Sequence, residues 1–276
     1  MIQYSFRFIK RFAILIPGLI IAYFSVFNIF PYFEDRLPLA IAIIATYALG
    51  AYILIPAAIR IIRSIYPTKH LPLYCVTPDG FASDPLNIGI VGSRKDLISS
   101  MEVAGWHTTD RSTFLPLIKQ MLALLINNSY ETAPVSNLYL FGRPQDIAFE
   151  KAVVGKRSER HHVRFWATTF EGSFPTSRET IHWYRKQPPD QSQNVLWVGA
   201  ASLDAGIALI RHNLQISHMI NPDTNKEREL IETDLRSTKK VKDSTSVRLG
   251  KAYKLTNRVW RGYLLSDGKM TVIRLR

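Results

Sequence analysis

The chain has 276 residues, 47% of them hydrophobic, with 35 Lys/Arg against 22 Asp/Glu, a formal net charge of +13 and a single cysteine, Cys75. One cysteine excludes an intramolecular disulfide and any cysteine-based metal cluster, and agrees with a reducing compartment. The positive charge does not read as nucleic-acid binding: there is no glycine/aromatic RNA-binding signature, no zinc-finger spacing and no basic region leading into heptads.

Two uncharged apolar runs, Phe12 to Phe33 and Leu37 to Ile59, are separated only by Glu34-Asp35-Arg36. An α-helix needs roughly 20 apolar residues to cross a hydrocarbon core, so the pair predicts a transmembrane helical hairpin over residues 1–66, with spans at about 12–33 and 37–59. Arg7, Lys10 and Arg11 precede the first run, and Arg60, Arg63 and Lys69 follow the second. Flanking cations favour the cytoplasmic side, so the expectation is a multi-pass protein of the inner or plasma membrane with both termini cytoplasmic. A cleaved signal peptide fits less well, because Tyr23 to Phe33 is bulky, lacks a small-x-small site and leads straight into a second span. Neither span holds a charge and only Asn28 and a few hydroxyls are polar, so the runs read as an anchor rather than a transport path. The lipid bilayer is the expected partner; a membrane-protein partner or self-association is compatible with it, and nucleic acid is not expected. Pro67 and Pro72 mark a linker over 67–83.

Residues 84–276 have the mixed texture of an aqueous domain, large enough to bury one core. Beyond residue 79 there are 28 basic and 19 acidic side chains, which reads as a solvated surface suited to an anionic leaflet. Leu86 to Val91 predicts a short buried strand. Ser93 and Asp96 then resemble a capping box that opens a helix ending near Gly105. The turn between them matches neither a Walker loop nor a Gly-x-Gly-x-x-Gly fingerprint, so it reads as a plain strand-to-helix connection. Leu115, Ile118, Met121, Leu122 and Leu125 predict a second helix over 114–126. Leu138 to Phe141, Ile147 to Glu150, His161 to Trp166, Asn194 to Ala201, Ile207 to Arg211 and Gln215 to Met219 predict strands, with Glu171 to Gln193 a long polar excursion. A third helix covers about 222–235, started either by Asn221 or by a Thr224/Glu227 box. Trp260 to Leu265 and Lys269 to Leu275 flank Ser266-Asp267-Gly268, a hairpin signal. The fold class is α+β: the N-terminal hairpin, then a mixed or mostly antiparallel sheet with about three helices.

Several phrases in order resemble one family, the LssY-like C-terminal domain: Asp84-Pro85-Leu86-Asn87 with Val91-Gly92-Ser93, Ala104-Gly105-Trp106, Ala133 to Ser136 with Leu138 to Asp146, His161 to Trp166, Trp197 to Ala201, and His218 before Asn221-Pro222-Asp223. The resemblance covers about 84–240 and implies an association with membranes. Some relatives join such a domain to DedA-type or lipid-phosphatase-type segments. Here the nearest phosphatase fragment, Ser177-Arg178 and then His182, has the wrong spacing, so that activity does not carry over.

On a strand, His162, Arg164 and Trp166 project from one face while His161, Val163 and Phe165 project from the other. A His/Arg/Trp face suits an anionic group, and Arg143, Asp146 and Asp204, in predicted turns, are candidates to complete it. The competing reading is a half-exposed strand whose arginine pairs locally and whose tryptophan covers core. His161, His162, His218 and Asp223 supply metal-ligand types without a metal-site spacing, and no cofactor is expected. Asn221, Asp223, Asn225 and Glu232 mimic part of a calcium loop, but Lys226 stands where glycine is needed. Two functional readings follow. One is a membrane-tethered cytoplasmic accessory or binding domain that recognises an anionic ligand or a membrane partner. The other is a hydrolase of a phosphate-containing or lipid-derived substrate working from the His162/Arg164 face.

Overall fold

The computed structural model describes residues 16–55, 57–58, 61, 71–78, 80–109, 136–140, 142–153, 155, 159–170, 174–176, 189–209, 216–256 and 262–276. The chain divides into two compact units, Met1–Pro67 with Pro78–Phe81, and Thr68–Thr77 with Ala82–Arg276. The predicted helix over 114–126 lies outside the described residues.

In the first unit, α1 (Ile16–Glu34) is the one described helix long and apolar enough to cross a membrane, and a shorter apolar helix, α2 (Leu39–Ala51), follows. Proline sets the turn between them. Asp35 N donates to Pro31 O at 3.0 Å and Leu37 N to Phe33 O at 2.8 Å, and Pro38, in extended backbone, accepts the first amides of α2. Arg36 folds back on the end of α1, donating to Tyr32 O at 2.8 Å with its guanidinium 3.9 Å from the Tyr32 ring centre. A π-helical stretch, Ser25–Ile29, lies within α1, and another, Leu49–Leu54, starts in the last residues of α2 and continues beyond them.

The second unit is α+β and sheet-rich. Its strands are β1 (Tyr74–Val76), β2 (Ala82–Pro85), β3 (Ile88–Gly92), β4 (His107–Thr108), β5 (Tyr139–Leu140), β6 (Arg143–Pro144), β7 (Ile147–Ala152), β8 (Arg160–Ala167), β9 (Val195–Leu209), β10 (Ile216–Ile220), β11 (Val241–Arg248), β12 (Tyr253–Thr256), β13 (Tyr263–Ser266) and β14 (Lys269–Leu275). The main sheet runs β11-β14-β3-β9-β8-β7-β4, with β10 alongside β9. Among the described residues of this sheet only β14 and β3 pair in parallel. One face packs against α3 (Arg94–Val103) and α4 (Thr224–Ser237) through Leu97, Met101, Trp106, Phe149, Phe165, Trp197 and Ile231. A core on the opposite face holds Trp166, Leu196, Val198 and Val272 together with Cys75 of β1 and Leu140 of β5, strands of the small sheet β2-β1-β5-β6. This alternation is the period-two rule applied to a strand buried on both sides.

Two residues pin the layers. Asn87 is fully buried; its amide donates to Ala201 O (3.0 Å) and Thr224 O (2.9 Å) and accepts from Ala201 N (2.9 Å), tying β3 to β9 and to the first turn of α4. Gly199 must be glycine for space, because an added Cβ would lie 2.6 Å from both Ile88 and Phe165.

Some expectations change. The stretch 67–83, expected as a linker, contains β1 and the start of β2, because its apolar Leu71 and Cys75 are buried in the second core. The two strands expected around 207–219 become the end of one long β9 and a separate β10, with 210–215 outside the described residues. Ser266-Asp267-Gly268 does not close a hairpin: β13 pairs with β12, and β14 joins the main sheet. Asp267 is held by Arg228, and Gly268, at φ 73°, lies where an added Cβ would be 2.4 Å from Gly250 O. The dipeptide is therefore a corner between two sheets. At α3 the Ser93/Asp96 capping box is present. At α4 the cap is neither expected candidate but Asp223, whose side chain accepts from Asn225 N at 3.2 Å.

Candidate functional site

Strand register builds a polar ladder along β8. His162 stands opposite Glu150 of β7 and Ser202 of β9, and Arg160 stands opposite Asp204. Because opposed residues share a face, these side chains line up with Arg164 and Trp166 on the side away from the helices. His161 goes the other way, meeting Glu227 of α4 at 2.7 Å.

The Arg164 end is sealed. Arg164 Nη1 donates to Asp84 Oδ2 at 3.1 Å, its Nε donates to Ser136 O at 3.2 Å, and Ser202 Oγ donates to Asp84 Oδ2 at 3.0 Å. Asp84 is completely buried and Arg164 is 7% exposed, so the guanidinium is already neutralised inside the protein. Nearby, Cys75 Sγ donates to Asp84 O at 3.2 Å. Burial, reinforced by the Asp84 charge and only partly opposed by Arg164, pushes the Cys75 thiol well above its ordinary range. A thiol so held is protonated and serves as core rather than nucleophile.

At the other end the ladder is partly open. Arg160 Nη1 donates to the buried Glu150 Oε1 at 2.6 Å, with the arginine side chain 23% exposed. His162 lies between two carboxylates, Nδ1 at 4.0 Å from Glu150 Oε2 and Nε2 at 3.8 Å from Asp204 Oδ2. Asp204 also accepts from Gly206 N at 3.1 Å, which fixes the carboxylate against its own backbone. Both separations exceed hydrogen-bond length, so the imidazole sits near two carboxylates and beside a partly exposed guanidinium.

Trp166, Arg143 and Asp146 make a clasp at the far end of β8. Trp166 Nε1 donates to Arg143 O (3.2 Å), Arg143 Nη2 donates to Asp146 Oδ2 (2.8 Å) and Ala167 O (2.7 Å), and Ala167 N donates to Asp146 Oδ2 (2.7 Å). The six expected site residues thus fall into three groups: His162 with Asp204, Arg164 alone with Asp84, and Arg143 with Asp146 and Trp166. Asp84, Glu150, Arg160 and Ser202 join the ladder without having been singled out as site residues. Glu150 was readable from alternation, since a carboxylate following Ile147 and Phe149 on a strand must face the side opposite to them.

Of the four residues that supply metal-ligand types, the three whose side chains are described do not come together. His161 and His162 point to opposite faces, Asp223 caps α4, and the side chain of His218 lies outside the described residues. Among the described residues no group of three metal-ligating side chains occurs. An open cavity of about 630 Å³ lies where β3 and β14 end beside α3, lined by Gly92, Asp96, Lys242, Arg274 and Arg276. It is not a phosphate cradle of the strand-turn-helix kind: Asp96 N is capped by Ser93 Oγ at 3.1 Å, Lys95 N donates to Gln191 O at 3.3 Å, and the Asp96 carboxylate lines the same space.

A family model described as LssY C-terminus matches residues 68–270. Neither a curated protein nor a solved structure matches the chain.

Proposed function

Since the chain belongs to the LssY C-terminus family over residues 68–270, we propose that it is a membrane-tethered accessory or binding domain on the cytoplasmic side. The observation that carries this reading is α1, a 19-residue uncharged apolar run up to its last residue, none of which is buried. Such a surface belongs in lipid rather than water. In this reading both apolar runs cross the bilayer of the inner or plasma membrane as a hairpin, Glu34-Asp35-Arg36 faces the opposite side, and the cations on the outer flanks keep both termini cytoplasmic.

The domain presents an anionic ligand or membrane partner with the Arg160/His162 end of the ladder. Arg164 supports this less, since its pair with Asp84 is sealed inside the protein, whereas the side chain of Arg160, paired with Glu150, is 23% exposed. Flotation of the full chain with phosphatidylcholine/phosphatidylglycerol vesicles tests the tether, and a chain left at the bottom of the gradient overturns it. A cysteine placed at Glu34 is expected to react with an impermeant maleimide only from the non-cytoplasmic side. Labelling only from the cytoplasm reverses the topology.

One observation favours the hydrolase reading: His162 lies within 4.0 Å of both Glu150 and Asp204, the residue types that general acid–base chemistry uses. Phosphate release from a panel of phosphomonoesters, abolished by His162→Ala and retained by Arg164→Lys, would move the assignment to an enzyme. No release by the wild type leaves the binding domain.

A further inference from the structure

Three cations line the cavity where β3 and β14 end. Arg274 of β14 and Arg276 just beyond it, two positions apart, project to one side, and Lys242 of β11 reaches the same wall. Lys242 gets there through a β-bulge. Val241 stands opposite Leu275 and Asp243 opposite Arg274, so Lys242 is one residue too many for the partner strand. In a regular ladder, alternation would send Lys242 to the face away from Asp243 and Arg274. A bulge re-aims a side chain, and here the side chain is a lysine.

The charge on this wall is not used up inside the protein. Lys242 and Arg276 make no ion pair among the described residues. Arg274 is held in place but loosely paired: its guanidinium lies 4.4 Å from the Phe174 ring centre, and its Nε is buried without a hydrogen bond, 3.5 Å from an equally unpartnered Asp243 Oδ1. A buried charged donor left short of an acceptor is uncommon in a native protein, and it leaves this guanidinium with bonding capacity to spare.

Across the cavity the character changes. Asp96 Oδ2 accepts from Ser93 N (3.3 Å) and Ser93 Oγ (2.5 Å), its Oδ1 accepts nothing from the described residues, and Asn194 adds an amide. That carboxylate repels an anion and accepts from a hydroxyl. The space, about 630 Å³, is the size of a small-molecule site and larger than a phosphate group needs.

We propose that this cavity binds a phosphate monoester carried on a hydroxyl-bearing body. The phosphate lies among Lys242, Arg274 and Arg276, and the hydroxyls donate to Asp96 with Asn194 beside them. Three cations suit a dianion with three free oxygens, and an arginine fork matches two of those oxygens at once. A carboxylate, with one charge and two oxygens, uses less of the wall. The helix end takes no part, since its amides are already engaged. The site is also separate from the β8 ladder: Val195, paired with Gly92, and Asp204, opposite Arg160, are nine residues apart on β9, roughly 30 Å of strand. It therefore stands independently of the reading of Arg160 and His162.

The test is calorimetric titration of the full chain, reconstituted in phosphatidylcholine vesicles, with glucose 6-phosphate, inorganic phosphate and glucose. Glucose 6-phosphate is expected to bind, inorganic phosphate more weakly and glucose not at all. Lys242 and Arg276 are exposed, so the fold does not depend on them. Lys242→Gln and Arg276→Gln should each weaken glucose 6-phosphate binding by about tenfold, and Lys242→Arg should retain it. Lys226→Gln, which removes the same charge from the start of α4, should change nothing. Asp96→Asn should narrow the gap between glucose 6-phosphate and inorganic phosphate, and an unchanged gap overturns the placing of the hydroxyls. Absence of binding by the wild type, or equal weakening by Lys242→Gln and Lys226→Gln, overturns the site. So does loss of binding in Arg160→Gln while Lys242→Gln binds normally, which puts the anion on the ladder instead. Phosphatidylinositol 4-phosphate added to the vesicles carries the same group on a lipid. Displacement of glucose 6-phosphate by it identifies a headgroup as the source, and undiminished binding identifies a soluble phosphomonoester.

Discussion

On the helix-covered face of β8, Val163 and Phe165 share a core with Leu97, Met101 and Ile231, and an ion pair such as Lys151–Asp234 (2.7 Å) is kept at partly exposed positions. On the other face Arg164 and the fully buried Asp84 are paired within the protein, and Arg160 of the same strand pairs with Glu150 of β7. One strand therefore displays two ways of filling an interior. The first gains stability directly from apolar burial. In the second, the pair attraction is largely offset by the cost of stripping water from two ions, so what it adds is matching between particular strands.

The comparison breaks most visibly at Asp84. Asp84→Ala leaves the guanidinium of Arg164 buried with only carbonyl and hydroxyl company, and should cost about 3–5 kcal/mol of unfolding free energy in a denaturant titration. Replacing both partners, Asp84→Leu with Arg164→Met, should recover most of it. A single substitution costing under about 1 kcal/mol would mean that the two faces do not differ in this way. On the helix side Lys151→Met should cost only about 1 kcal/mol or less, because Asp234 keeps its hydrogen bond from Trp106 Nε1 at 2.9 Å and the pair is partly solvated.

The smallest effect is a pH dependence at the β13–β14 corner. Burial pushes the Asp267 carboxyl up, but the hydrogen bonds from Arg228 and from Lys269 N outweigh it and hold the group below its ordinary value of 3.8. A carboxylate depressed on folding contributes stability above that ordinary value and loses it as pH falls through the lower folded one. Asp267→Asn should therefore lower stability at neutral pH and make the acid limb of a thermal-melt series shallower, and an unchanged acid limb would remove Asp267 from the account.

Much of this was legible from local pattern. The alternation of His161-His162-Val163-Arg164-Phe165-Trp166 assigned each side chain to its face, and Ser93 with Asp96 gave the start of α3, because both signals depend on residues a few positions apart. What stayed hidden was pairing across the chain. Nothing local tells Arg164 that its counter-ion is Asp84, although Asp84 stood in view at the head of the Asp-Pro-Leu-Asn phrase. The Asp267-Gly268 signal failed for the same reason: the turn chemistry is real, but Arg228 and the approach of Gly250 decide which strands it joins.

The central position of β3 also has a temporal meaning. Its neighbours are β9 on one side and β14 on the other, and β11 bonds within the sheet only to β14. During synthesis, residues 88–92 emerge early and must wait with one edge bare until 269–275 arrive, since the strand that completes the row is made last. A nascent or shortened chain lacking Lys269–Leu275 carries two unclosed edges at once, a slow step and an exposed one.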